Sequence, residues 1–155
     1  MNTRIIYIIF FLVLVRMADG QEKQNLIPNP GFESFSAYPV GWFYTGKHFS
    51  NVVKYWSSPT AASPDAYGPN IFVPTFWKDK GFGMADPHSG AAMAGITVYG
   101  CQDGKPHCRE YIQTPLIEPL VVGQRYGFSM WIRKLESGFD IKSFGVSFTF
   151  DKTYI

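Results

Sequence analysis

His88–Tyr99 reads HSGAAMAGITVY, and its two halves point to different chemistry. The His-Ser pair invites a nucleophilic reading, whereas the residues after Gly90 alternate with period two. A serine nucleophile needs a base within hydrogen-bond reach, an orienting third group and an oxyanion hole. Adjacent side chains on an extended chain point apart, and no G-x-S-x-G turn is present. His48 and His107 have no evident Asp partner. The triplet therefore reads as a turn, with Pro87 fixing φ and Ser89-Gly90 reversing the chain into a strand that starts at Ala91 or Ala92.

In that strand Ala92, Ala94, Ile96 and Val98 share one face, while Met93, Gly95, Thr97 and Tyr99 share the other. RYGFSMWIR (Arg125–Arg133) and SFGVSFTF (Ser143–Phe150) repeat the pattern with Tyr126, Phe128, Met130 and Ile132, and with Phe144, Val146, Phe148 and Phe150. Period two marks strands with one face on a core and one on water. Helical periodicity is hard to find beyond residue 20. Ser57–Asn70, SSPTAASPDAYGPN, reads as a loop by composition, although Trp56, Tyr67, Phe72, Phe76 and Trp77 give its surroundings much to bury. The expected fold is an all-β antiparallel β-sandwich, with residues 21–155 as one domain. A chain stopping soon after Phe150 also leads us to expect a sandwich short of its last strand or strands.

The first twenty residues read differently. Arg4 precedes an unbroken apolar run from Ile5 to Val15, and Ala18 and Gly20 are small residues before a cut at Gln21. That is the layout of a secretory signal peptide, too short to span a bilayer. We expect an exported protein of the periplasm, outer membrane or cell surface, with no transmembrane segment in the mature chain. Residues 1–20 hold Arg4, Arg16 and Asp19, so 12 of the 14 basic and 11 of the 12 acidic side chains remain afterwards. A net charge of +1 excludes a basic nucleic-acid surface. The only two cysteines, Cys101 and Cys108, flank a short loop. In an exported chain a disulfide is the default reading. The alternative, a metal site with His107, lacks a fourth ligand.

Four segments carry a resemblance. NLIPNPGFESF (Asn25–Phe35) and EPLVVGQRYGFSMWIRK (Glu118–Lys134) resemble carbohydrate-binding modules with the galactose-binding-like jelly-roll fold. GFGMADPHSGAAMAGI (Gly81–Ile96) followed by REYIQTPL (Arg109–Leu116) resembles a narrower group. That group is the N-terminal β-sandwich domain of Bacteroidetes cell-envelope proteins of the OmpA family. The resemblance implies a non-catalytic envelope domain with a structural or protein-interaction role. The alternative it implies is a carbohydrate-binding module, with glycan or other envelope proteins as partners. It requires no cofactor. A structural calcium is the one candidate, and Glu33 matches the residue that helps hold it in such modules.

Sugar binding would use the water-facing side of the sheet. Tyr99, Tyr111, Gln113, Trp131 and Arg133 are the candidate ligand-binding residues, with aromatic faces for pyranose C–H groups and directional polar bonds beside them. The competing reading packs Trp131 and Tyr111 beneath the aromatic-rich loops before Gly90. Turning Tyr111 outward also turns Glu110 inward, which is uncomfortable for a carboxylate. Glycoside hydrolysis needs two carboxyl groups roughly 5–10 Å apart. Glu33, Asp65, Asp86, Glu110 and Glu118 are scattered, and their spacing along the chain pairs none of them. We therefore expect no catalytic residues.

Overall fold

A computed structural model describes residues 24–80, 82–83, 85–99, 109–135, 138 and 140–155. The expected signal peptide over residues 1–20 and the expected Cys101–Cys108 disulfide lie outside the described residues. Regular structure is sparse. A 3-10 turn (Gly46–His48) runs into α1 (Phe49–Val52); then follow β1 (Asp65–Tyr67), α2 (Thr75–Lys78) and β2 (Met93–Gly95). β1 and β2 form one antiparallel ladder in the register Asp65 to Gly95, Ala66 to Ala94 and Tyr67 to Met93. Among the described residues, no helix is long and apolar enough to cross a membrane.

The expected β-sandwich is overturned: the described residues hold one two-stranded sheet, and their architecture is largely irregular. Two of the three predicted strands form no ladder. Segments 125–133 and 143–150 meet through the Phe128 and Phe148 rings, edge to face at 6.5 Å, without backbone pairing. Phe128, Met130, Phe144 and Phe148 are all exposed. A period-two pattern says which face a strand would bury, but stability also needs cross-strand partners. Those partners are spent elsewhere.

The core draws on the segment that composition marks as loop, through Ala62, Ala66 and Tyr67. Ala66 and Ala94 face a cluster of Phe49, Val52 and Val53, closed by Phe32, Phe35, Tyr44, Trp56 and Ile112. Tyr67 and Met93 face a second cluster with Ile71 and Val73, closed by Trp42 and Trp77. Successive strand residues point to opposite sides, so the short ladder is a partition with apolar packing on both faces. The Ser57–Asn70 loop reading is corrected accordingly: it contains β1, and Ser57, Ser58, Thr60 and Ala62 are buried. Pro64 before β1, and Gly68 and Pro69 after it, confine the strand to three residues.

Asn29 organises the N-terminal segment. At φ 49° it occupies the left-handed region, which Asn tolerates better than most residues. Its Nδ2 donates to the carbonyls of Ser34 and Lys54, each at 3.0 Å, and its Oδ1 accepts from Ser34 N at 2.9 Å. Its own carbonyl accepts from Trp56 Nε1 at 2.9 Å. The bridge between Phe35 and Val53 follows, and it sets Phe35 against the first cluster.

The turn before β2 forms as the Pro and Gly residues predict, with the ladder beginning at Met93. Gly90 has φ +70°. Glu33 Oε1 reaches over it to accept from Ala91 N at 2.9 Å and Ala92 N at 3.0 Å. A Cβ at Gly90 would overlap that oxygen in a backbone conformation that L-residues adopt at a cost. Gly90→Ala is therefore expected to lower unfolding free energy by about 2 kcal/mol. Urea titration checks this, and an unchanged midpoint would refute the crowding.

Candidate functional site

Residues 42–44 lie beside β1 on the edge opposite β2. Ala66 N donates to Trp42 O at 2.7 Å, and Tyr44 N donates to Pro64 O at 3.1 Å. This pairing brings Trp42 and Phe43 next to Asp65. α2 supplies Trp77, whose carbonyl accepts from Phe82 N at 3.1 Å. The rings then pack in sequence: Trp42 and Phe43 at 5.0 Å, Trp42 and Trp77 at 6.0 Å, Trp77 and Phe82 at 5.5 Å. With Ser63, Thr97, Asp65 and Glu110 they line a cleft of about 140 Å³.

Two carboxyl groups stand in this cleft under different constraints. Glu110 is 8% exposed, the inward turn that the alternation around Tyr111 implies. Its Oε1 accepts from Ser63 N at 3.2 Å and Ser63 Oγ at 3.3 Å, and its Oε2 accepts from Thr97 N at 2.6 Å. Burial raises its pKa and these donors counteract the rise. Asp65 lines the cleft; its Oδ2 lies 3.0 Å from Tyr67 Oη, and no hydrogen bond to its Oδ1 is present among the described residues. Burial, then the charge of Glu110, pushes Asp65 up to about 7, against a smaller opposing contribution from Tyr67. Gly95 sits opposite, where a Cβ would come within 3.0 Å of Asp65 Oδ2. The absent side chain makes room for the carboxyl group.

The five residues named for sugar contact do not gather into one site. Trp131 is 78% exposed and stacks on His88 with ring centroids 3.8 Å apart and planes within 10°. Tyr99 is exposed, with the Arg109 guanidinium 5.8 Å from its ring centroid. Gln113 spends its amide on the chain: Nε2 donates to Thr153 O at 2.8 Å and Oε1 accepts from Thr153 N at 3.0 Å. Tyr111 and Arg133 are both exposed and lie on separate segments. Among the described residues no hydrogen bond or ring contact joins any two of the five.

Glu33 serves the turn over Gly90, as above. Among the described residues no three His, Cys, Asp or Glu side chains gather in a metal-binding group.

Sequence reading names Asp65 and Glu110 but cannot pair them, and it passes over Trp42, Phe43, Trp77 and Phe82 as cleft walls. Comparison with known families, with curated proteins and with solved structures returns no match to this chain.

Proposed function

We propose that this is an exported, non-catalytic domain of a cell-envelope protein that holds a glycan by seating one sugar ring in the Asp65 cleft. The observation that carries this reading is the combination of four aromatic walls with a carboxyl oxygen that meets no donor among the described residues. Aromatic faces and edges suit the C–H side of a pyranose, and that oxygen suits a hydroxyl. Glu110, with both oxygens engaged by Ser63 and Thr97, is placed to hold its segment rather than to move a proton. The resemblance to envelope domains supplies the setting.

A second reading, docking of another envelope protein, is favoured by the exposed apolar side chains of 126–132 and 144–150. Contiguous exposed apolar surface commonly marks contact sites.

Phe43 is half exposed and lines the cleft, so its loss tests binding with little effect on the core. Phe43→Ala is expected to weaken retention on polysaccharide gels about tenfold, equivalent to about 1.4 kcal/mol. Trp131→Ala is expected to leave retention unchanged. The reverse result would move the site to the Trp131 face. Retention indifferent to both would sink the glycan reading.

A further inference from the structure

Tyr67 Oη lies 2.8 Å from Gly83 O and 3.0 Å from Asp65 Oδ2. A phenol has one hydrogen to donate, and a backbone carbonyl can only accept. If that hydrogen serves Gly83, the shorter contact, then the contact to Asp65 needs a second hydrogen. The group able to supply it is Asp65 itself. The geometry points to Asp65 as a neutral carboxylic acid that donates to Tyr67 and thereby positions Gly83, together with the neighbouring Phe82 wall of the cleft. The relay runs Asp65 Oδ2–H to Tyr67 Oη, then Tyr67 Oη–H to Gly83 O.

The surroundings favour this arrangement. Tyr67 keeps its proton, because burial and the nearby carboxyl groups raise its pKa. The titratable groups that face Asp65 are Tyr67 on its own strand and Glu110 across the cleft. β2 turns only Gly95 towards it. Segment 42–44 and α2 contribute aromatic rings, and among the described residues no Lys, Arg or His lines the cleft. With no such cation beside them, two carboxylates in one small cleft repel, and the first proton is retained.

Loss of that proton reverses the relay. The proton leaves to water through the cleft mouth, and the Asp65 carboxylate then draws the single Tyr67 hydrogen away from Gly83 O. A hydrogen bond to a charged acceptor is about twice as strong as one between neutral groups. Gly83 loses that tie, and the Phe82 wall is loosened to what its own bond to Trp77 O and the Trp77 ring still hold. On the proposed glycan reading, on which only this consequence rests, the cleft binds its ring in the protonated state and opens as Asp65 ionises.

The relay is tested on the ligand-free protein, so its failure is separate from failure of the glycan reading. Carboxyl-carbon NMR should show Asp65 protonated up to a midpoint of about 7. The Phe82 and Gly83 amide signals should move with the same midpoint. Asp65→Asn supplies a permanent N–H donor to Tyr67 and should fix both signals at their low-pH positions. Tyr67→Phe should uncouple them from Asp65. Titration of Asp65 near the ordinary value of about 4, or Phe82 and Gly83 signals that ignore its transition, would overturn the relay. Phe82 and Gly83 signals that keep the same midpoint in Asp65→Asn would follow another group and would overturn it as well. The wild-type carboxyl titration decides the point even if a variant fails to fold.

Discussion

Asp65→Asn is expected to stabilise the protein at pH 8 by on the order of 4 kcal/mol and to leave its stability at pH 4 almost unchanged. The sign follows from proton counting. Asp65 has a folded-state pKa of about 7 against an ordinary 3.8, so between those values the folded chain binds more protons than the unfolded one. Wild-type stability is greatest near pH 4, falls as pH rises towards 7, and levels off beyond it. The amide has no proton to lose and escapes that fall. It also fits where the carboxyl group fits, opposite Gly95. Glu110 shifts in the same direction, so a smaller decline with pH should survive in the variant. Urea titrations of both proteins at pH 4 and pH 8 measure the difference. Parallel pH dependences would show that Asp65 is ionised in the folded state throughout.

Phe49→Ala is expected to cost about 3–5 kcal/mol. Its side chain is 0% exposed and packs with Val52, Val53 and Ala66 in the first cluster. Elements of three or four residues have little stability of their own. Loss of the ring therefore removes what holds α1 against the ladder. For a domain of ordinary stability this is a large share of about 5–15 kcal/mol. Chemical denaturation measures it, with Trp131→Ala as the comparison, where the exposed ring should leave the midpoint nearly unmoved. A Phe49→Ala midpoint close to wild type would mean that the first cluster is not the core.

Some of this was readable from residue order and some was not. The turn at Gly90 was readable because Pro and Gly restrict or free the backbone locally, whatever lies around them. The ladder at Met93–Gly95 falls within the predicted Ala92–Tyr99 strand, although only three of its residues pair. Glu110 was readable as inward-facing because period two ties it to Tyr111. Segments 125–133 and 143–150 carried equally clean alternation and formed no ladder, since alternation records a preference of side chains and not the presence of a partner strand. The Pro-rich segment around Ala66 misled in the other direction. Its burial comes from contacts with Phe49 and Ala94, which local composition does not encode. The cleft escaped for the same reason. Ser63 and Glu110 are 47 positions apart, and only the folded chain places one against the other.

Asn29 carries a consequence for the protein's durability. Asparagine slowly converts to aspartate when the next backbone nitrogen attacks its side-chain carbonyl. Here the next residue is Pro30, which has no N–H, so that cyclisation is closed. An aspartate at this position would set carboxylate oxygens where Nδ2 now donates to Ser34 O and Lys54 O, and oxygen would face oxygen in both contacts. The Asn-Pro order thus protects the chain's N-terminal fastening from chemical ageing.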